Sequence, residues 1–207
     1  MRGFFVFCWF FFLMIRRPPR STILPYTTLF RSGALMALFV WILEYSVNSR
    51  GLLPFHYYFI LPFALPLTVF VIKTFAPNAQ GHGTEKVIEA VHKNGGKIKV
   101  AVMPIKLLAT VFTIFAGGSV GKEGPGAQIG AGASSVIASM LKFSKADRKK
   151  LVICGISAGF ASVFGTPIAG AIFGIEVLTI GVIMYDVLLP SFIAGFAAFT
   201  TAQFLGS

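Results

Sequence analysis

Apolar stretches of unequal length, separated by short polar or glycine- and proline-rich breaks, run through the chain from residue 33 onward. One stretch, at 83–92, places apolar and charged positions on opposite sides at a helical period, which predicts a short amphipathic helix. The other stretches predict apolar helices. The predicted helices span 33–47, 55–75, 83–92, 100–115, 127–141, 147–163, a short one from 167 to about 178, and 183–205.

Several of these helices are shorter than the ~20 residues that a helix needs to cross a bilayer. Short helices separated by glycine and proline breaks at membrane depth indicate broken helices arranged around a buried site. Glycine pairs at a spacing of four residues occur at Gly126 and Gly130, Gly155 and Gly159, and Gly170 and Gly174. Such pairs are typical of close helix packing, so they predict the fold and not the site.

Composition places the chain in a membrane. Of its 207 residues, 56% are hydrophobic and only 12% are charged, with a mean hydropathy of +0.80. A soluble domain carries about a quarter charged residues. The 23 Phe and 22 Gly in an apolar background also exclude a disordered chain. We therefore predict an all-α, polytopic membrane protein, embedded in a lipid bilayer.

The net charge of +11 does not indicate nucleic-acid binding. Five arginines and no acid lie in residues 1–32, and the rest of the chain holds 13 basic and all seven acidic residues. One basic cluster, between residues 142 and 150, separates two apolar stretches, which is typical of a cytoplasmic loop. No basic face with aromatic or polar readers accompanies it, so we expect no nucleic-acid partner.

Residues 1–32 stand apart from the rest of the chain. A phenylalanine-rich run is followed by RRPPRSTILPYTTLFRS, which offers no small-residue cleavage site for a signal peptidase. This string resembles translated sequencing-adapter DNA found at the ends of unrelated proteins from metagenomic assemblies. We predict that 1–32 is a non-native or disordered segment; an ordinary N-terminal membrane anchor is the alternative.

Cysteine and histidine positions indicate no metal site. Cys8 and Cys154 lie far apart in apolar runs, and His56, His82 and His92 form no metal-binding pattern. No nucleophile with an adjacent base is visible either. We expect no metal, no cofactor and no enzymatic activity.

The break at 117–126 carries the chemistry. Lys122 and Glu123 lie in the middle of an apolar protein, where a charge costs roughly 2.5–3.5 kcal/mol, and a structural Lys–Glu pair is one explanation. The neighbouring Gly121, Gly124 and Pro125 instead indicate a helix start, since proline is tolerated in a first turn. Free N–H groups at such a start favour an anion. The carboxylate would then be a tethered anion, displaced by a free anion or neutralised by a proton.

A phosphate-binding P-loop, GxxxxGK[ST], is the competing interpretation of this break. Ala116 stands at the first glycine position, Glu123 replaces the serine or threonine, and no strand precedes the motif. The P-loop interpretation therefore fails.

Three motifs in register resemble the CLC family of chloride channels and chloride/proton antiporters. Residues 121–125, GKEGP, are similar to the family's G(K/R)EGP motif. Residues 81–83, GHG, resemble its GSGIP motif, and residues 158–170 resemble its AGxxxxFxxPxAG segment. The resemblance runs from residue 33 to 207 and corresponds to the N-terminal half of the family domain.

The resemblance implies a broken-helix bundle built from two inverted repeats, of which this chain is one, in a homodimer with one anion pathway per subunit. It implies that Glu123 is the gating glutamate. The implied anion-binding residues are His82, Gly121, Lys122, Glu123, Gly124 and Pro125.

Two departures from the family pattern bear on mechanism. His82 stands where the family has the serine that touches the central anion; a neutral histidine still donates one N–H, and a plain loop residue is the alternative. Proton-coupled members often carry an acidic pair near Glu176, but Val177 stands at the second acid. Glu176 is a candidate for the proton pathway, or a structural acid near the cytoplasmic face. This slightly favours a channel over proton-coupled exchange.

Two functions therefore stay open. The first is transmembrane transport of chloride or another small anion by a multi-pass protein of a prokaryotic plasma membrane. The second is a truncated membrane assembly fragment that holds no complete pathway.

Overall fold

The computed structural model describes residues 23–49, 57–178 and 184–205. These ranges contain eight α-helices and no β-strand, which confirms the predicted all-α class. The helices are α1 (Ile23–Asn48), α2 (Leu61–Phe75), α3 (Gly83–Lys93), α4 (Val102–Phe115), α5 (Glu123–Met140), α6 (Lys145–Phe164), α7 (Pro167–Glu176) and α8 (Tyr185–Phe204). Short 3₁₀ turns at Tyr57–Ile60 and Pro77–Ala79 precede α2 and α3.

Helices α1 and α5 begin well before their predicted starts. Helix α1 begins at Ile23 and not at residue 33, so it takes in the last part of the segment set apart at 1–32; residues 1–22 lie outside the described residues. Helix α5 begins at Glu123 and not at residue 127, because Pro125 is accommodated in its first turn. The predicted starts at 55 and 183 also lie outside the described residues.

Helix α6 is the centre of the molecule. It is buried along most of its length and packs against α5, α7 and α8. The hydroxyl of Ser144 caps its start by accepting the N–H of Asp147 at 3.1 Å, and Gly165 ends it with a left-handed φ of +69°.

The predicted glycine packing is confirmed at the contact of α5 with α6. A Cβ on Gly130 would overlap the carbonyl oxygen of Gly155, and a Cβ on Gly159 would overlap that of Gly126. The two backbones approach this closely because neither helix has a side chain at these positions.

The helices vary widely in length and hydropathy. Within the described residues, α8 is the helix long and apolar enough to cross a membrane by length and composition, and shorter apolar helices are found in α1, α2, α4 and α7. The surface of α2 exposes large apolar side chains, among them Phe63 at 79% and Phe75 at 65%. These features belong to a polytopic membrane fold with broken helices.

Candidate anion site

The first turn of α5 has backbone N–H groups that no residue of the helix accepts. Lys122 is the N-cap residue, with no side-chain hydrogen bond to the helix, and the N–H of Gly126 makes the first helical bond to the Lys122 carbonyl at 3.0 Å. The N–H groups of Glu123 and Gly124 thus have no acceptor within the helix, and Pro125 has no N–H to offer. This end of α5 carries partial positive charge.

A second helix start meets the first one. Helix α3 begins at Gly83, whose N-cap residue His82 has an extended backbone and no capping hydrogen bond. A Cβ on Gly83 would overlap the carbonyl oxygen of Gly124 and lie 3.0 Å from the Cβ of Gln128. Two positively polarised helix ends are therefore held in direct contact.

A cleft of about 550 Å³ opens between these two starts and the flanks of α2 and α4. Five of the six residues that the sequence assigns to anion binding line this cleft: His82, Gly121, Glu123, Gly124 and Pro125. His82 and Glu123 are exposed, whereas Pro125 is buried.

Lys106 is a cleft residue that belongs to none of the sequence motifs. It lies in α4, is only 8% exposed, and lines the cleft. Its Nζ donates hydrogen bonds to the carbonyl oxygens of Ala79 and Gly81, each at 2.9 Å. An ammonium group has three N–H donors, so one remains after these two bonds. The signal was present in the sequence, because Lys106 is a charged residue inside an otherwise apolar predicted helix.

Three threonine hydroxyls also line the cleft, but each donates its hydrogen to a backbone carbonyl. Thr68 bonds to Ala64, Thr110 to Lys106 and Thr113 to Ala109, all at 2.8 Å. Their hydroxyl oxygens are left as acceptors. The donors that line this cleft therefore include the helix-start N–H groups, Lys106, the ring of His82 and the hydroxyl of Ser119.

Gln128, on α5, also makes a hydrogen bond to the loop before His82. It is 2% exposed, and its Nε2 donates to the carbonyl of Asn78 at 3.0 Å. Lys106 and Gln128 together fix three carbonyls of the loop at 78–81. The sequence offers no signal for Gln128, since a polar residue among small ones does not predict its partner.

Lys122 points away from the cleft. Its Nζ lies 5.6 Å from the centroid of the Phe164 ring, and its side chain lines a separate cleft with Glu44. No salt bridge joins Lys122 to Glu123, so the structural pair considered for these two residues is not formed.

Glu176 is also outside the cleft. It is exposed at the last residue of α7, and the adjacent Val177 packs against the core around α6. The structure therefore does not bring the candidate proton acceptor to the residues around Glu123.

Comparison with known proteins gives this site a family context. The voltage gated chloride channel family matches residues 64–207. A chloride/fluoride channel protein of Pseudomonas syringae pv. tomato is 33% identical over 203 residues, covering 92% of this chain and 44% of the relative. The H⁺/Cl⁻ exchange transporter ClcA of Klebsiella pneumoniae is 26% identical over 144 residues, covering 66% of this chain and 30% of the relative.

Solved structures agree with the sequence relatives. The crystal structure of a CLC-type fluoride/proton antiporter superposes with a TM-score of 0.81 at 29% identity, covering 90% of this chain and 47% of that one. A slow cyanobacterial Cl⁻/H⁺ antiporter superposes with a TM-score of 0.76 at 22% identity, covering 92% and 48%, and supports the fold alone.

The fold and the cleft at two helix starts thus define a broken-helix membrane protein. The chain belongs to the voltage-gated chloride channel (CLC) family, as the resemblance predicted. It spans about half the length, or less, of the relatives it matches.

Proposed function

We propose that this protein moves chloride or another small anion, such as fluoride, across a membrane through the cleft at the starts of α3 and α5. The observation that carries the proposal is the position of Glu123. Its carboxyl group lines a cleft that also contains Lys106 and two helix N-termini, and none of the described residues pairs with it. An anion and the Glu123 carboxylate therefore compete for the same donors.

In this proposal Glu123 is the gate. An ionised carboxylate occupies the positive end of α5 and blocks the cleft, whereas protonation or a competing anion releases it. The backbone N–H groups near Gly121 and Gly124 bind the incoming anion, and His82 adds a ring N–H from the start of α3. Lys122 acts at most as a nearby charge, because its side chain lies in the neighbouring cleft.

Passive conduction is the form of transport that the residues favour. Glu123 is the one carboxyl group among the described residues that line the cleft, and Val177 supplies no second acid near Glu176. Relatives include both a protein called a channel and proteins called exchangers or antiporters.

Glu123→Gln tests the gate. In proteoliposomes containing the longer protein that includes this chain, the neutral amide should raise anion efflux and abolish its pH response. A carboxylate at a helix N-terminus is stabilised by up to about 2 kcal/mol, so efflux should rise by up to about thirtyfold. Glu85→Gln is the matched control, because Glu85 is exposed on α3 outside the cleft. Unchanged efflux and an unchanged pH response would remove Glu123 from this role.

The same vesicles can be used to measure whether halide transport is coupled to proton transport. A channel moves halide without driving protons, whereas an exchanger takes up protons against their gradient when a halide gradient is imposed. Proton uptake driven by halide would overturn passive conduction and leave the anion pathway itself intact.

A membrane assembly fragment is the second candidate, and the observation that favours it is the share of its relatives that this chain covers. Reconstitution of these 207 residues alone should then give no efflux. Anion efflux from them would exclude the fragment hypothesis. Pairing of two copies in the bilayer, which the family resemblance implies, is part of the transport proposal and is tested by cross-linking in the same vesicles.

A further inference from the structure

A basic cleft of about 540 Å³ lies beyond the last turn of α5, at the opposite end of that helix from Glu123. Basic side chains from two segments line it: His92 and Lys93 from the end of α3, and Lys145 and Lys149 from the start of α6. Lys145 and Lys149 are four residues apart, so they share one face of α6. The transport proposal uses none of these residues.

The backbone brings these two segments together. Gly95 and Gly96 follow α3 with φ of +59° and +78°, a conformation that glycine adopts without strain. A Cβ on Gly95 would lie 3.5 Å from the Cγ of Lys145, and one on Gly96 would lie 3.4 Å from the Cα of Lys149. The basic side chains are therefore close because the turn packs on α6, and not because flexible side chains happen to meet.

Charge in this cleft is not balanced by the protein. Lys150, the next residue along α6, has its own partner in Asp186 at 2.6 Å. Within the described ranges, Lys145 and Lys149 have no carboxylate within 4.0 Å, and Asp147 accepts the hydroxyl hydrogen of Ser144 at 2.7 Å. Converging like charges destabilise the fold unless a counter-charge joins them.

The nearest other charges do not change this balance. The Nζ of Lys93 lies 3.4 Å from the Oε1 of Glu89, whose carboxylate also pairs with Lys86. The Nε of Arg148 is buried without a hydrogen-bond partner among the described residues. Cationic nitrogens thus outnumber carboxylates around the cleft, which favours an anion with several acceptor oxygens.

The surroundings indicate where that anion comes from. Met140 and Leu141, at the end of α5, are 75% and 43% exposed and precede the basic loop. Exposed apolar side chains a few residues before these lysines suit a lipid, with its acyl chains against the apolar side chains and its headgroup among the lysines. We propose that this cleft binds a phosphate group, carried by an anionic phospholipid at the cytoplasmic face of the membrane.

Binding of a short-chain lipid to the purified chain in detergent tests this site. The probe is dioctanoyl phosphatidylglycerol, measured by isothermal titration calorimetry. The double variant Lys145→Gln, Lys149→Gln should bind it about tenfold or more weakly, because each basic side chain near an anionic lipid strengthens binding. A matched double variant, Lys97→Gln with Lys142→Gln, loses the same charge outside the cleft and should bind within about twofold of the unsubstituted chain.

Three results would overturn the proposal. Equal weakening in both double variants would show diffuse surface charge instead of a site, and equal binding of dioctanoyl phosphatidylcholine would show that headgroup charge is irrelevant. If inorganic phosphate binds as tightly as the lipid, the ligand of this cleft is free phosphate and not a lipid. Circular dichroism checks that each variant keeps its helix content, and the single variant Lys149→Gln replaces the double one if it does not fold.

Discussion

Glycines lie at two close helix–helix contacts in this molecule, and the consequences of the two contacts differ. Where α5 crosses α6, Gly130 lies against the carbonyl of Gly155, so the interiors of the two helices are in direct contact. The N–H groups there are bonded along each helix. Where α3 and α5 begin, Gly83 lies against the carbonyl of Gly124, but the first-turn N–H groups have no acceptor within their own helix, and both glycines line a cleft. Close packing of glycines therefore forms a core in one place and lines the proposed anion site in the other, and the difference is the part of the helix that is in contact.

The largest expected effect is the loss of stability from a substitution where the interiors of α5 and α6 are in contact. Gly130→Ala places a Cβ on the backbone of Gly155, which has no freedom to move, so α5 and α6 must separate. Overpacking of this kind costs about 1–3 kcal/mol, and thermal unfolding in detergent measures it. Gly132→Ala is the control on the same helix, since its Cβ meets the flexible side chain of Met103 at 2.7 Å. Equal melting temperatures for the two variants would contradict the packing account.

Gly83→Ala should affect transport more than stability. The added methyl pushes the start of α3 away from the carbonyl of Gly124 and moves the donors of the two helix starts apart, whereas α3 joins the core around α6 through Val87 and Val91, further along the helix. We expect anion efflux from the longer protein to fall by roughly tenfold, with a loss of stability near 1 kcal/mol. Normal efflux in a folded variant would show that contact between the two helix starts is not required.

Lys106→Met separates charge from packing. The substitution removes two hydrogen bonds to the loop before His82 and the positive charge in the cleft, but keeps the side-chain volume. Loss of the donor leaves the carbonyls of Ala79 and Gly81 without their partner, which costs about 1–3 kcal/mol, so we expect a lower melting temperature and halide binding that is weaker by about tenfold. Lys106→Arg restores the charge and should recover part of the binding. A variant that melts far lower but still binds halide would give Lys106 a structural role only.

Gly121→Ala is expected to have the smallest effect. Among the described residues, nothing lies within 4 Å of the position that its Cβ would take, and the backbone there is not left-handed. Stability should change by less than about 0.5 kcal/mol and efflux by less than about threefold. A large loss of efflux would indicate that the anion passes directly over Gly121, which would sharpen the assignment of this residue.

Much of the helical order was predictable, and the errors have identifiable causes. Residues 123–126, EGPG, contain two glycines and a proline, which are typical of a break, yet Pro125 is tolerated in a first turn and the helix starts at Glu123. The unusual sequence of residues 1–32 predicts a separate segment and a start of α1 at residue 33, whereas the helix continues back to Ile23.

The candidate site was only partly predictable. Glu123 was identified because a charge among glycines in an apolar chain needs an explanation. Lys106 carries the same signal and was missed because no motif surrounds it. Gln128 was out of reach, since its role depends on a carbonyl 50 residues away along the chain.

The sequence by itself determined the apolar helices, the glycine spacing that lets them pack and a helix start within a few residues of Glu123, because these depend on neighbours within a few turns. Tertiary structure alone decided that α3 and α5 begin side by side, that Lys106 and Gln128 hold the loop of His82, and that Lys122 and Glu176 lie elsewhere. Those arrangements depend on contacts between residues far apart in the chain, which arise only when the helices pack.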